Sequence, residues 1–215
     1  MKHFDTLLLT MLQGSGVTLS LFAITLTVAL PLGFLLSLGR LSKFKPLSGF
    51  IWLYTWVMRG TPLMLQILFI YFGLDFLGIK ITDRFLAAVI AFVLNYAAYF
   101  AEIFRGGIQS VGRGQYEASD MLGMTYGQTM MRIVLPQAFR RVLPPISNEV
   151  ITLIKDTALV YVIGLQDLMK VVDGRAITTL NPTPYLFAAL FYLFFTFLLT
   201  LGLSALEKKF AYYEG

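Results

Sequence analysis

The sequence has no cysteine and a single histidine, His3. Disulfides, thiolate metal sites and cysteine nucleophiles are therefore excluded. Metal-centred or Ser-His chemistry has almost nothing to build on. Charge is also scarce: only 13% of residues are Asp, Glu, Lys or Arg, about half of what a soluble domain carries. The phosphate-binding pattern G-x-x-x-x-G-K-[ST] is absent too, so the chain cannot hydrolyse ATP by that chemistry.

Apolar sequence fills the place of the missing charge. The chain is 57% hydrophobic and its mean hydropathy is +0.74. No charge separates Asp5 from Arg40, Arg84 from Glu102, or Arg175 from Glu207, and Arg59 alone lies between Lys45 and Asp75. A bilayer core takes about 20 apolar residues to cross, so these runs predict an integral membrane protein. The first run, roughly 34 uncharged residues, exceeds the roughly 7–15 of a signal peptide's apolar region. No small-residue cleavage pattern follows it, and a retained helix is expected.

Five helices are expected, at 16–39, 49–76, 84–105, 142–162 and 184–207. Their connections alternate in basic content. Segment 40–48 holds Arg40, Lys43 and Lys45, and segment 106–141 holds Arg113, Arg132, Arg140 and Arg141. Segment 77–83 holds only Lys80, while 163–183 balances Lys170 and Arg175 with Asp167 and Asp173. The positive-inside rule then places the N-terminus outside, and 40–48, 106–141 and the tail after Glu207 in the cytosol. The net charge of +5 is accounted for by topology, not by nucleic-acid binding.

The second run is interrupted by Arg59-Gly60-Thr61-Pro62. Pro62 lacks a backbone donor and disfavours helical geometry at Thr61. Broken backbone at membrane depth must be buried in protein or face a watery cavity. The sequence leaves open a kink or a join between an interfacial helix (49–58) and a span beginning near Thr61.

The cytosolic interval 106–141 is helix-compatible but punctuated by glycine. Glu117, Ala118, Met121 and Leu122 suit a short amphipathic helix. Gly123 suits a left-handed turn after it, a second helix is expected from Tyr126 to Leu135, and Pro136 is expected to end it. This helix-turn-helix nub could pack on itself or present itself to a partner.

Polar side chains at membrane depth are expensive and are functional candidates by default. Asn95, Tyr99 and Glu102 share one helical face, as do Glu149, Thr152 and Asp156. Two such stripes on neighbouring helices predict a wet cavity between them. At 1.5 Å per residue, Asn95 lies roughly 17 Å from the outer end of its helix and Asp156 roughly 20 Å from the cytosolic end of its own, well inside the membrane. Asp156 could pair with an α-ammonium, and Asn95 could bond either end of a zwitterion. Glu102 could do the same or pair with Arg105 at i+3. Glu149, Thr157 and Tyr71 complete the candidate set. A proton- or sodium-coupled secondary transporter using Glu102, Glu149 or Asp156 as a relay is the alternative, though no internal repeat supports it.

One spacing is specific. Glu117-Ala118-Ser119, Gly123, Ile133 and Leu135-Pro136 follow the Glu-Ala-Ala, Gly, Ile, Leu-Pro pattern of ABC importer membrane subunits, with Ser119 replacing the second alanine. Arg59-Gly60-Thr61-Pro62, 101–107, Gly114-Gln115 and Lys155-Asp156-Thr157 resemble the polar amino-acid permease branch, and the likeness covers nearly the whole chain.

The resemblance implies an all-α integral membrane protein of the inner or plasma membrane, multi-pass, forming one transmembrane domain over 1–215. In it Glu117, Ala118, Ser119, Gly123, Ile133, Leu135 and Pro136 would couple to a cytosolic ABC ATPase dimer. It also implies a second permease subunit, identical or a paralogue, an extracytoplasmic amino-acid-binding protein, and a polar amino acid as substrate. No cofactor is expected in the chain, since ATP and magnesium would sit on the ATPase. Three intramembrane carboxylates against Lys155 and Arg59 lean towards arginine, lysine or histidine. Glu102 and Asp156 lie in segments of the general pattern, and they equally suit the common α-amino group.

Overall fold

The computed structural model describes the backbone of residues 2–211, and side-chain surroundings over 6–210. Every regular element among them is helical: α1 (Lys2–Arg40), α2 (Lys45–Gly60), α3 (Leu63–Leu68), α4 (Arg84–Gln109), α5 (Arg113–Met121), α6 (Tyr126–Thr129), α7 (Leu135–Asp156), α8 (Leu168–Thr179) and α9 (Thr183–Ala211). By length and composition, α1, α4 and α9 can each cross a membrane. The pair formed by α2 and Leu63–Leu77 passes as a fourth candidate, bent by 106° at its break. That angle is far beyond a proline kink in a continuous span, so the Arg59–Pro62 interruption is a join between two helices.

The centre of the fold is α4. Its side chains alternate small and large, with Ala87, Ala88, Ala91, Ala97, Ala98 and Ala101 buried beside Phe92, Tyr96 and Phe100. Small residues let backbones approach closely, the main source of helix association where lipid offers no hydrophobic drive. Accordingly α1 packs along α4, and α7, α2 and α3 pack around it. Asp83 caps α4 by accepting from the Phe85 and Leu86 backbone N–H groups. By contrast only 6% of the apolar window of α9 is buried within the chain, against 56% for α4, so α9 is a peripheral helix.

Five expectations change. The first helix begins at Lys2 and not near residue 16, because Gly14 and Gly16 are accommodated inside it. The third runs to Gln109 and not 105: Gly106 and Gly107 are helical, and a Cβ on Gly107 would overlap the Val142 side chain of α7. That glycine marks a close helix crossing and not a helix end. Pro136 does not end the helix after Tyr126. The chain passes through a π-helical turn, Met130–Val134, into α7, and Pro136 lies in the first turn of α7. In that turn the Leu135 N–H reaches back to the Met130 carbonyl, and Pro136 occupies a position where no donor is required. The expected fourth span, 142–162, comprises the second part of α7 and a 3-10 stretch, Thr157–Ile163. Carrying Arg140, Arg141, Glu149, Lys155 and Asp156, α7 is not among the helices apolar enough to cross by composition. The segment 163–183, expected as a connection between spans, contains α8.

Candidate functional site

A break in a helix leaves carbonyls without partners, and in a membrane each is costly. Here the freed groups are met by two amides. Gln66 of α3 donates through Nε2 to the Met58 carbonyl (2.9 Å), the Thr61 carbonyl (3.2 Å) and Thr61 Oγ1 (2.8 Å). Asn95 of α4 donates to the same Met58 carbonyl (2.9 Å) and to Gln66 Oε1 (3.0 Å). Tyr54 adds a hydrogen bond to the Leu94 carbonyl, 2.5 Å. The join is thereby tied to the middle of α4.

Beside it opens a cavity of about 480 Å³, within the usual range for a small-molecule site. One wall is the join itself, from Arg59 to Leu63. Asn95, Tyr96 and Tyr99 of α4 form another, and Glu149, Thr152 and Asp156 of α7 a third. The Tyr96 hydroxyl donates to Asp156 Oδ2 at 2.7 Å, fixing that carboxylate against α4. Among the described residues, no ion pair joins Glu149 or Asp156 to a cation. The single cation on the wall, Arg59, lies over the Tyr99 ring, 5.4 Å from its centroid. Two carboxylates, phenols and an amide suit a small ligand that carries cationic and hydrogen-bonding groups.

The other candidates lie apart. Glu102 is one turn beyond Tyr99, where its Oε2 accepts from Arg105 Nη2 (2.7 Å) and Nε (3.0 Å) and stands 3.8 Å from Arg59 Nη1. Thr157 is buried and donates to the Ile154 carbonyl at 2.7 Å. The Tyr71 hydroxyl accepts from Arg84 Nε at 3.3 Å, outside the cavity. Gln66, Thr61 and Tyr96 went unselected from sequence. A lone amide in the apolar run after Pro62 was the available signal for Gln66; Tyr96 reads as one more core aromatic.

The interval 106–141 forms a nub on a small core of Ile108, Val111, Met130, Val134 and Ala138. Gly123 has φ +67°, the left-handed turn that follows α5. Thr125 and Gln128 form a reciprocal cap that starts α6. Ser119 is buried and donates to the Gln115 carbonyl at 2.6 Å, so the hydroxyl that replaces an alanine is satisfied within its own helix. Glu117, Ala118, Gly123 and Pro136 are exposed, with Ile133 and Leu135 partly so. Around them Met121 (90% exposed), Leu122 (77%), Tyr126 and Met131 present apolar surface, which a loop facing only water would not keep.

Comparison with known proteins places this architecture. Residues 29–212 match the family of binding-protein-dependent transport system inner membrane components. The arginine transport system permease protein ArtQ of Bacillus subtilis is 44% identical over 203 residues, covering 92% of this chain and 91% of that protein. A putative glutamine transport system permease protein, GlnP, of Rickettsia bellii is 37% identical, covering 96% and 95%. Among solved structures, an amino acid ABC transporter with histidines superposes with a TM-score of 0.90 at 36% identity, covering 96% of this chain and 97% of that one. The MetNI methionine ABC transporter, at 18% identity and a TM-score of 0.77, shares the fold. The chain thus belongs to the binding-protein-dependent inner membrane component family, as a multi-pass permease subunit of the amino-acid ABC type whose ATPase is a separate subunit.

Proposed function

We propose that this permease carries a polar amino acid, with basic ones preferred, through the cavity between the α2–α3 join, α4 and α7. The observation that carries this reading is the pair of carboxylates, Glu149 and Asp156, on one wall with no cation paired to either among the described residues. A cationic ligand gains most where its charge replaces water against unpaired carboxylates. Relatives named for arginine and for glutamine agree with a polar amino acid. Asn95, although it lines the cavity, is committed to the join through its amide nitrogen; its role is to hold the wall, with its oxygen available to ligand. Glu102, Thr157 and Tyr71 take no direct part.

In this reading the chain is a single transmembrane domain with five spans, α7 and its 3-10 extension being the fourth. That polar helix is sheltered by α4 and α9. The N-terminus lies outside and the 106–141 nub in the cytosol. The nub, with Glu117, Ala118, Ser119, Gly123, Ile133, Leu135 and Pro136, docks on the ATPase dimer that binds ATP and magnesium. A second permease subunit and an extracytoplasmic binding protein complete the importer.

The deciding experiment reconstitutes the complex in liposomes and measures ATPase stimulation across a panel of amino acids with their binding protein. Arginine, lysine or histidine should stimulate most. Stimulation confined to acidic amino acids would exclude the reading. Uptake should also survive collapse of the proton and sodium gradients and stop when ATP is removed; the opposite pattern would favour a gradient-driven carrier.

A further inference from the structure

Arg59 poses a problem for a cavity that receives cations. It is the one guanidinium on the wall, and Glu149 and Asp156 line the same space. A free arginine there would neutralise the carboxylates before any ligand arrived. The structure shows Arg59 near enough to Glu149 for their charges to interact but in no ion pair with it, its closest contacts being made elsewhere. Its Nη1 stands 3.8 Å from Glu102 Oε2, and its guanidinium covers the Tyr99 ring at 5.4 Å. Glu102 is largely buried, with 18% of its side chain exposed. It is itself oriented by two charge-assisted bonds from Arg105, at 2.7 and 3.0 Å, the strong class of hydrogen bond.

We propose that Glu102 is a positioning residue for specificity: it holds the Arg59 guanidinium against Tyr99 and away from Glu149 and Asp156, so that those carboxylates remain open to a cationic ligand. Tyr99 supplies the second anchor, since a ring face attracts a guanidinium. Arg105 keeps Glu102 aimed. The proposal rests on the cavity reading given above and adds a residue that does not touch the ligand. Its consequence is directional. Loss of the Glu102 charge frees Arg59 to compete for the cavity carboxylates, weakening basic substrates far more than neutral ones.

The test uses the whole complex in liposomes, with uptake of arginine and glutamine measured for wild type, Glu102→Gln, Arg59→Gln with Glu102→Gln, and Asp156→Asn. Assembly is checked by size-exclusion chromatography. Glu102→Gln should raise the arginine KM about tenfold, equivalent to about 1.4 kcal/mol, while the glutamine KM shifts less than about threefold. Adding Arg59→Gln should return the arginine KM towards wild type. Equal losses for both amino acids, or no recovery in the double variant, would overturn the proposal. If Glu102→Gln fails to assemble, Glu102→Asp, with its carboxylate drawn back by one methylene, should show a smaller shift with the same recovery; no shift overturns it. Asp156→Asn separates the two readings. An unchanged arginine KM there removes the cavity assignment and this proposal together. A large rise there with none in Glu102→Gln removes this proposal alone.

Discussion

At the scale of the residue, the most consequential side chain is Gln66, because it answers a cost the fold creates for itself. The turn at Thr61 and Pro62 strips partners from the Met58 and Thr61 carbonyls, and a single amide returns to both. Gln66→Leu keeps the bulk and removes every one of those donors. The Met58 carbonyl would keep Asn95 as a donor, but the buried Asn95 amide would lose its acceptor on Gln66. A buried, unsatisfied polar group costs on the order of 1–3 kcal/mol, so the variant should unfold at lower temperature in detergent. An unchanged melting temperature would show that the join is stable without this amide. Charged and amide residues were readable from sequence as exceptions in an apolar background, which is why Asn95, Glu149 and Asp156 were singled out. Division of labour among them was not readable. Whether a carboxylate meets an arginine or open space depends on a neighbour distant in sequence, as Arg59 is from Glu102.

At the scale of the element, helices announced themselves by length and hydrophobicity, and the break at Arg59–Pro62 by proline chemistry. Gly123 was legible for the same local reason: its left-handed φ of +67° is open to glycine at little cost. A β-branched residue there meets roughly 1–2 kcal/mol of backbone strain. Gly123→Val should therefore distort the turn between α5 and α6 while the membrane helices assemble. Expected in the reconstituted complex is ATP hydrolysis that continues with uptake sharply reduced; full uptake would deny the nub its coupling role. Less legible were Gly107 and Pro136. Each looked like a terminator, and each proves to be interior, because packing against Val142 and a π-helical turn supply what local preference lacks. Tertiary approach decides such positions, and one-dimensional pattern cannot report it.

At the scale of the whole molecule, exposure is uneven in a telling way. The peripheral helix α9 and much of α1 show their apolar sides outward, and a second apolar surface crowns the 106–141 nub with Met121, Leu122, Tyr126 and Met131. The first suits lipid, and the second suits the protein partner proposed above. Freedom from cysteine makes this directly measurable, since any introduced thiol is unique in the chain. A cysteine at Leu122 should cross-link to the ATPase subunit and resist aqueous thiol reagents added outside sealed cells. One at Lys80 should react with those reagents. Reversed labelling would invert the orientation, and a Leu122 thiol that never meets the ATPase would place the motor elsewhere.

The elbow between α2 and α3 has a mechanical meaning as well. Stitched by Gln66 to its own carbonyls and by Asn95 to α4, it behaves as a welded bracket and not as a pivot. In the coupling proposed above, a push reaching this elbow would move the bracket and α4 as one piece against the carboxylate-bearing wall of α7, and the chamber would change width as a jaw does.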